Sequence, residues 1–293
     1  MLKIEKGNTI YPFSKGILAR SMLPSGLSIE TIYEITEEVE SFFQSEEKPI
    51  PALEIHEEVI RILEKRGLKN EKKRYQVSHD IAQLEKPLVI IIGGAAGVGK
   101  STIAAALRRR LGIERVIGTD EIREIMRYVL PKDLIPALHE SSFDAGEVMS
   151  GPDIEENVLI GFSRQAKLVN RGVHAYIKRT EKEGLKAIFN GVHLVPGYLN
   201  VELESPVLMF HYLLTVEEKE RHIKRFHHRA SGSYRKADRY AQRIEQIRSI
   251  QEYLIQEARK TGIKIVNNIN IDQTVNAIVD NLIQNLDERN RHE

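Results

Sequence analysis

The chain has 293 residues, 41% of them apolar, which suffices for one large domain or two modest ones with real cores. Its 43 basic and 42 acidic residues nearly cancel, so no global field favours DNA, RNA or anionic lipid, and recognition by charge has to be local. There is no cysteine, which excludes disulfides, thiolate metal ligands and cysteine nucleophiles and accords with a reducing compartment. No stretch approaches the roughly 18 uninterrupted apolar residues of a membrane span, and the expectation is a soluble, cytoplasmic chain with no membrane or nucleic-acid partner.

In chain order, Leu2 to Lys6 and Thr9 to Pro12 flank the turn-favouring pair Gly7-Asn8, which predicts a short β-hairpin. Ile29, Ile32, Tyr33, Val39, Phe42 and Phe43 recur at helical spacing. Val59, Ile60 and Leu63 continue that pattern in a helix closed by Gly67, and a third helix is expected over Glu71 to Leu84. Lys86-Pro87 breaks the run and marks a domain boundary, with a small, mostly helical unit over residues 1–86 and a larger one over 87–293. Leu88 to Ile92 reads as a strand buried on both faces. Apolar runs at Arg115 to Ile117, Lys186 to Phe189, Val207 to Leu214 and Lys264 to Val266 alternate with segments of helical periodicity. That alternation predicts an α/β domain whose parallel sheet is flanked by helices. The tail Asp287 to Glu293 is polar and reads as frayed.

Gly94-Ala95-Ala96-Gly97-Val98-Gly99-Lys100-Ser101 fits GxxxxGK[ST] at every fixed position, directly after a predicted strand and before a helical stretch, Thr102 to Leu111. This is a P-loop. Small residues let backbone N–H groups converge on phosphate oxygens. Lys100 is expected to reach the β- and γ-phosphates of ATP, the Ser101 hydroxyl to ligate Mg²⁺, and Thr102 to support the helix entry. The motif alone does not separate kinases from other nucleotide hydrolases, although the NKxD-type motif of a guanine-binding protein is missing.

Asp120 follows the predicted strand ending at Ile117, on the side of the sheet where the P-loop lies. It suits a hydroxyl-orienting base or an outer Mg²⁺ ligand, with capping of the helix Glu121 to Leu130 as the plainer alternative. Arg123 and Arg127 lie one turn apart on that helix, placed to pair with a substrate phosphate or carboxylate or simply to form an exposed ion-pair face. Phe189-Asn190-Gly191 closes a later strand with an amide where many P-loop kinases have an acid. Asn190 can orient a water or hydroxyl but adds no negative charge at Mg²⁺. His193 could contact substrate or serve as a turn histidine.

Thr215-Val216-Glu217-Glu218 has the form of a capping box and predicts a helix start. Arg221, Arg225 and Arg229 follow on one helical face beside Lys224, His227 and His228, until Ser231-Gly232-Ser233 interrupts the helix. A basic run by itself is usually a solvated face, but after a late strand of a P-loop domain it reads as a lid over about 217–240, supplying cations to a transferring phosphoryl group. Arg239 and Arg243 are further candidates for a substrate phosphate.

The combination GGAAGVGKST, IGTDEIREIMR, LHESSF at Leu138 to Phe143, GVHLVPG at Gly191 to Gly197 and RIEQIRSIQEYL at Arg243 to Leu254 resembles the archaeal 2-phosphoglycerate kinases across nearly the whole chain. The resemblance implies phosphoryl transfer from ATP to the C3 hydroxyl of 2-phosphoglycerate, giving 2,3-bisphosphoglycerate, which a separate enzyme cyclises to cyclic 2,3-diphosphoglycerate in certain methanogenic archaea. On that reading Lys100, Asp120, Arg221 and Arg225 are catalytic, and the loop from Gly94 to Thr102 holds ATP. Ser101 and Asp120 hold Mg²⁺, while Arg123, Arg127, His193, Arg229 and Arg243 meet the acceptor. The position of Asn190 is commonly acidic in that family, so the chain departs from the pattern there.

Tyr11 to Met22, YPFSKGILARSM, resembles an ATP-cone, a regulatory nucleotide-binding module, and implies a second ATP in residues 1–86. Better-known cones carry a lysine four residues after the phenylalanine. Here that place is Ile17, and the nearest basic residue is Lys15. Two rival readings stay open: a kinase of the same architecture with another small phosphorylated or nucleoside acceptor, and a non-catalytic ATP-sensing regulator. Assembly into a homo-oligomer is open as well.

Overall fold

The computed structural model describes residues 2–149, 153–230 and 237–290. Two compact units emerge, one of Met1–Leu84 with Arg109–Gly112, the other of Glu85–Arg108 with Ile113–Glu293.

In the N-terminal unit, β1 (Lys3–Lys6) and β2 (Thr9–Pro12) form an antiparallel hairpin with Lys6 opposite Thr9. Helix α1 (Lys15–Met22) is capped by the Ser14 hydroxyl, which accepts from the Ile17 N–H at 3.4 Å, and α2 (Ile29–Phe43) by Ser28, which accepts from Thr31 at 3.1 Å. Strand β3 (Ile50–Pro51) joins β1 in parallel, and α3 (Ala52–Lys65) and α4 (Lys69–Gln83) complete the unit. The buried positions Ile32, Ile35 and Val39 on α2 and Val59, Ile62 and Leu63 on α3 keep the helical spacing and share one core with Met22. Each such side chain contributes about 1.5–3 kcal/mol on burial.

The second unit alternates strand and helix. It runs through β4 (Leu88–Gly93), α5 (Lys100–Leu111), β5 (Arg115–Gly118), α6 (Thr119–Val129), the short α7 (Pro136–His139), α8 (Ile154–Lys182) and β6 (Lys186–Gly191). There follow β7 (Leu208–Thr215), α9 (Lys219–Ala230), α10 (Ala237–Gln242), α11 (Ile244–Thr261), β8 (Lys264–Asn267) and α12 (Ile271–Asn290). The five strands are parallel in the order β5-β6-β4-β7-β8, with β4 central and buried along its whole length. Gly93 stands beside Gly191 and Leu213, and Gly118 beside Asn190. The loops after β4, β5 and β6 therefore open on the same carboxyl edge, where open α/β sheets bind ligands. Helix α8, 29 residues long, presents Val158, Phe162, Ala166, Val169, Val173 and Ile177 as a buried stripe of helical period. Among the described residues no helix is long and apolar enough to cross a membrane.

Neither of two helix caps considered in the sequence is formed. Thr215 does not cap α9: it stays in β7, opposite Asn267, and α9 begins at Lys219. The intervening backbone is held by α11 instead, where Gln251 Oε1 accepts from Val216 N at 3.0 Å and Arg248 Nη2 donates to Glu217 O at 3.1 Å. Helix α6 begins at Thr119, with the Glu121 carboxylate accepting the Gly118 N–H at 2.6 Å. Asp120 thus lies within the first turn and is not the cap.

Candidate active site

The segment from Gly94 to Gly99 leads from β4 into the amino terminus of α5, where the first-turn N–H groups and the helix dipole favour an anion. Gly97 and Gly99 take φ values of +81° and +93°. A Cβ on Gly97 would stand 2.5 Å from a ring carbon of Phe226, and one on Gly99 2.6 Å from Asn268 Nδ2, so both conformation and space require glycine. The loop is braced from outside: His222 Nε2 donates to Ala96 O at 2.7 Å, and Val98 O accepts from Arg225 Nη1 at 2.9 Å and Asn268 Nδ2 at 2.8 Å. Lys100 Nζ donates to Ala95 O at 2.7 Å. Burial holds the His222 imidazole at about 4, so it is neutral and its Nε2 proton is available to the loop.

Two cavities meet at Lys100 and Ser101. One, of about 620 Å³, runs along Gly97, Thr102, Arg225, Asn268 and Ile269. Ile269 and Ile271, 54% and 47% exposed, give it apolar surface. The other, of about 730 Å³, is bounded by Asp120, Arg123, Ser141, Asn190, Arg239 and Tyr240. In that second cavity Ser101 Oγ donates to Asn190 Oδ1 at 3.1 Å, while Asn190 Nδ2 donates to Ile117 O at 3.4 Å, which turns the amide oxygen toward the serine. Arg123 is largely buried and gives Nη1 to the carbonyls of Leu138 and Glu140, at 3.2 and 2.7 Å. The acid beside it is Asp120, 3.9 Å from Nε. Burial, only partly offset by Asp120, holds this guanidinium below its ordinary range.

His193 is fully buried beneath the same floor. Gln165 Nε2 donates to Ala137 O and Glu140 O, so its Oε1 accepts from His193 Nε2 at 3.0 Å, and His193 Nδ1 accepts from the Thr119 hydroxyl at 2.8 Å. Burial keeps the ring neutral, at about 4, in accord with that tautomer. With both nitrogens engaged inside the protein, His193 fastens the start of α6 to α8 and has no atom left to meet a ligand.

Of the other arginines singled out in the sequence, Arg127 pairs with Glu124 at 2.8 Å and Arg221 faces Glu218 at 3.8 Å, and neither lines either cavity. Arg225 does line the smaller one; burial, then Arg221, lowers its guanidinium below the usual value. Arg243 pairs with Asp144 at 3.0 Å and with Glu147. The Arg229 side chain and Ser231-Gly232-Ser233 lie outside the described residues. Sequence reasoning missed Asn268, whose Oδ1 accepts from Thr274 Oγ1 at 3.0 Å while its amide braces the loop. It also missed the ring series from His222 to Phe226 (5.3 Å) to Tyr240 (5.2 Å) to Phe143 (5.4 Å), which ties α9 and α10 to the 141–143 loop. The spacing of His222 and Phe226, one helical turn apart beside the lid arginines, was the available signal.

No family model matches the chain. It is 37% identical over 278 residues to the 2-phosphoglycerate kinase of Thermococcus kodakarensis, covering 94% of each chain. It is 38% identical over 283 residues to that of Pyrococcus horikoshii, covering 96% of this chain and 93% of the relative. For the Pyrococcus furiosus enzyme the identity is 38% over 287 residues, covering 97% and 94%. The matched lengths take in nearly the whole chain, and the chain belongs to the 2-phosphoglycerate kinase family.

Proposed function

We propose that the chain is a cytoplasmic ATP- and Mg²⁺-dependent kinase that phosphorylates the free hydroxyl of 2-phosphoglycerate to give 2,3-bisphosphoglycerate. The observation that carries this is the meeting of two cavities on Lys100 and Ser101, one beside the phosphate loop and one beside a carboxylate. The cavity with Ile269 and Ile271 suits the nucleotide base, and the loop amides with Lys100 suit the triphosphate. The cavity with Asp120 and Arg123 suits an anionic acceptor.

Ser101, Asn190 and Asp120 supply oxygen atoms to one cavity, a hard donor set that fits Mg²⁺. When bound, the ion neutralises charge on the phosphate oxygens. Asp120, 62% exposed and inside the first turn of α6, is the group to accept the proton of the acceptor hydroxyl. As that oxygen bonds to the γ-phosphorus, the bond from phosphorus to the β,γ-bridging oxygen breaks and ADP leaves. Lys100 offsets the charge that collects on the departing oxygen, and Arg225 contributes from the lid. Arg221, held near Glu218, would add a second cation only by leaving that partner.

The test is ADP release with ATP, Mg²⁺ and a panel of 2-phosphoglycerate, glycerate, gluconate and a nucleoside monophosphate. Turnover with 2-phosphoglycerate is expected. Turnover with another acceptor alone would overturn the substrate, and ATP binding with no acceptor used would favour a nucleotide sensor. We propose also that the N-terminal unit is a regulatory module for a second ATP, on the ATP-cone likeness of Tyr11 to Met22. Lys15 now pairs with Glu40 at 2.6 Å and would have to exchange that partner for phosphate. Equilibrium dialysis showing one nucleotide per chain at saturation would end this reading.

A further inference from the structure

The acceptor cavity has a cationic feature outside the phosphate-loop motif. Asp144 is 3% exposed and faces two guanidinium groups, Arg239 Nη2 at 2.7 Å from Oδ2 and Arg243 Nε at 3.0 Å from Oδ1. A carboxylate this deeply buried calls for paired cations. The two arginines differ in what else they touch. Arg243 also pairs with Glu147, stands between two acids, and does not line the cavity. Arg239 lines it with a side chain 58% exposed, shares Asp144 with Arg243, and lies 5.9 Å over the ring of Phe143.

Among the described residues, one nitrogen of the Arg239 guanidinium is engaged. Nη2 donates to Asp144 and, at 3.3 Å, to Ser141 Oγ, while Nε and Nη1 have no hydrogen-bond partner among the described residues. Asp144 and the Phe143 ring therefore hold the group in one orientation and leave N–H donors on Nε and Nη1 for the oxygens of a dianion. Arg123, the other arginine of the cavity, is mostly buried with Nη1 committed to two carbonyls, so it offers fewer donors.

We propose that Arg239 recognises the phosphomonoester group that the acceptor already carries, and that Asp144 is the positioning residue that aims it. This rests on the reading of the chain as a kinase of a phosphorylated acceptor. Specificity for a phosphorylated over an unphosphorylated substrate then resides on α10, separate from the machinery that moves the new phosphate.

The experiment compares wild type, Arg239→Ala, Arg239→Lys and Asp144→Asn with 2-phosphoglycerate and with glycerate, using the competitive Ki of glycerate if it is not turned over. Arg239→Ala is expected to lower kcat/KM for 2-phosphoglycerate by about 10- to 100-fold, mostly through KM. Its handling of glycerate and its KM for ATP should stay within a factor of about two, so the preference for the phosphorylated acceptor collapses. Asp144→Asn should show a smaller loss of the same selectivity, and Arg239→Lys a partial recovery. Because Arg239 is exposed, its variants test the idea even if Asp144→Asn folds poorly. Equal losses with both acceptors, or no loss, would overturn the proposal while leaving the kinase reading intact. A wild type inactive on 2-phosphoglycerate would instead overturn the reading on which it rests.

Discussion

The two cavities that meet at Lys100 are built on different plans. Beside the cavity proposed for the nucleotide, the phosphate loop offers consecutive backbone groups between β4 and α5, where Gly97 and Gly99 have no room for a Cβ. The cavity proposed for the acceptor is walled by side chains drawn from α6, the 141–143 loop, the end of β6 and α10. A backbone-built site accepts a ligand common to many enzymes and tolerates little change in the residues that form it. A side-chain-built site can be retuned one residue at a time, which is how one fold serves many acceptors.

Substitutions on either side of Lys100 test how far this contrast holds. The largest expected effect is at the shared point: Lys100→Ala should lower kcat by about 10³-fold or more without changing the thermal melting transition, and a variant retaining wild-type turnover would remove the phosphate loop from the mechanism. Asp120→Asn, on the acceptor side, should lower kcat by about 10²-fold with KM for ATP unchanged. If KM for ATP rose in parallel, Asp120 would belong to the nucleotide side and the division would blur. The smallest effect is expected from Asn190→Asp, which places a carboxylate beside Ser101. A rise in kcat of about two- to tenfold and half-maximal activity at lower Mg²⁺ would mark the amide as limiting. No change in a Mg²⁺ titration would show that Asp120 and Ser101 suffice.

The same contrast explains what could be read from the sequence. The phosphate loop is contiguous, and each strand of the sheet declares itself as an apolar run, so the P-loop unit and its parallel sheet followed from spacing alone. Asp120 and Arg123 could be placed at the site because they follow directly after β5. The acceptor wall could not, since Arg239 meets Asp144 across 95 residues and His193 meets Thr119 across 74. Nor did periodicity distinguish Arg239, which lines the cavity, from Arg127 and Arg243, whose charges neighbouring acids absorb. The start of α9 was misplaced because Gln251 and Arg248 on α11 bind the backbone that a local cap would otherwise have satisfied.

The braces on the phosphate loop have one more effect. A trans peptide unit is planar, with its C=O and the next N–H directed oppositely, and there is no cis peptide bond in the described residues. By fixing the Ala96 carbonyl, His222 therefore also fixes the direction of the Gly97 N–H, and Arg225 and Asn268, on the Val98 carbonyl, do the same for Gly99. These side chains thus act as rudders on the peptide planes, and the aim of the loop's donors is set by residues 222, 225 and 268, more than a hundred positions downstream.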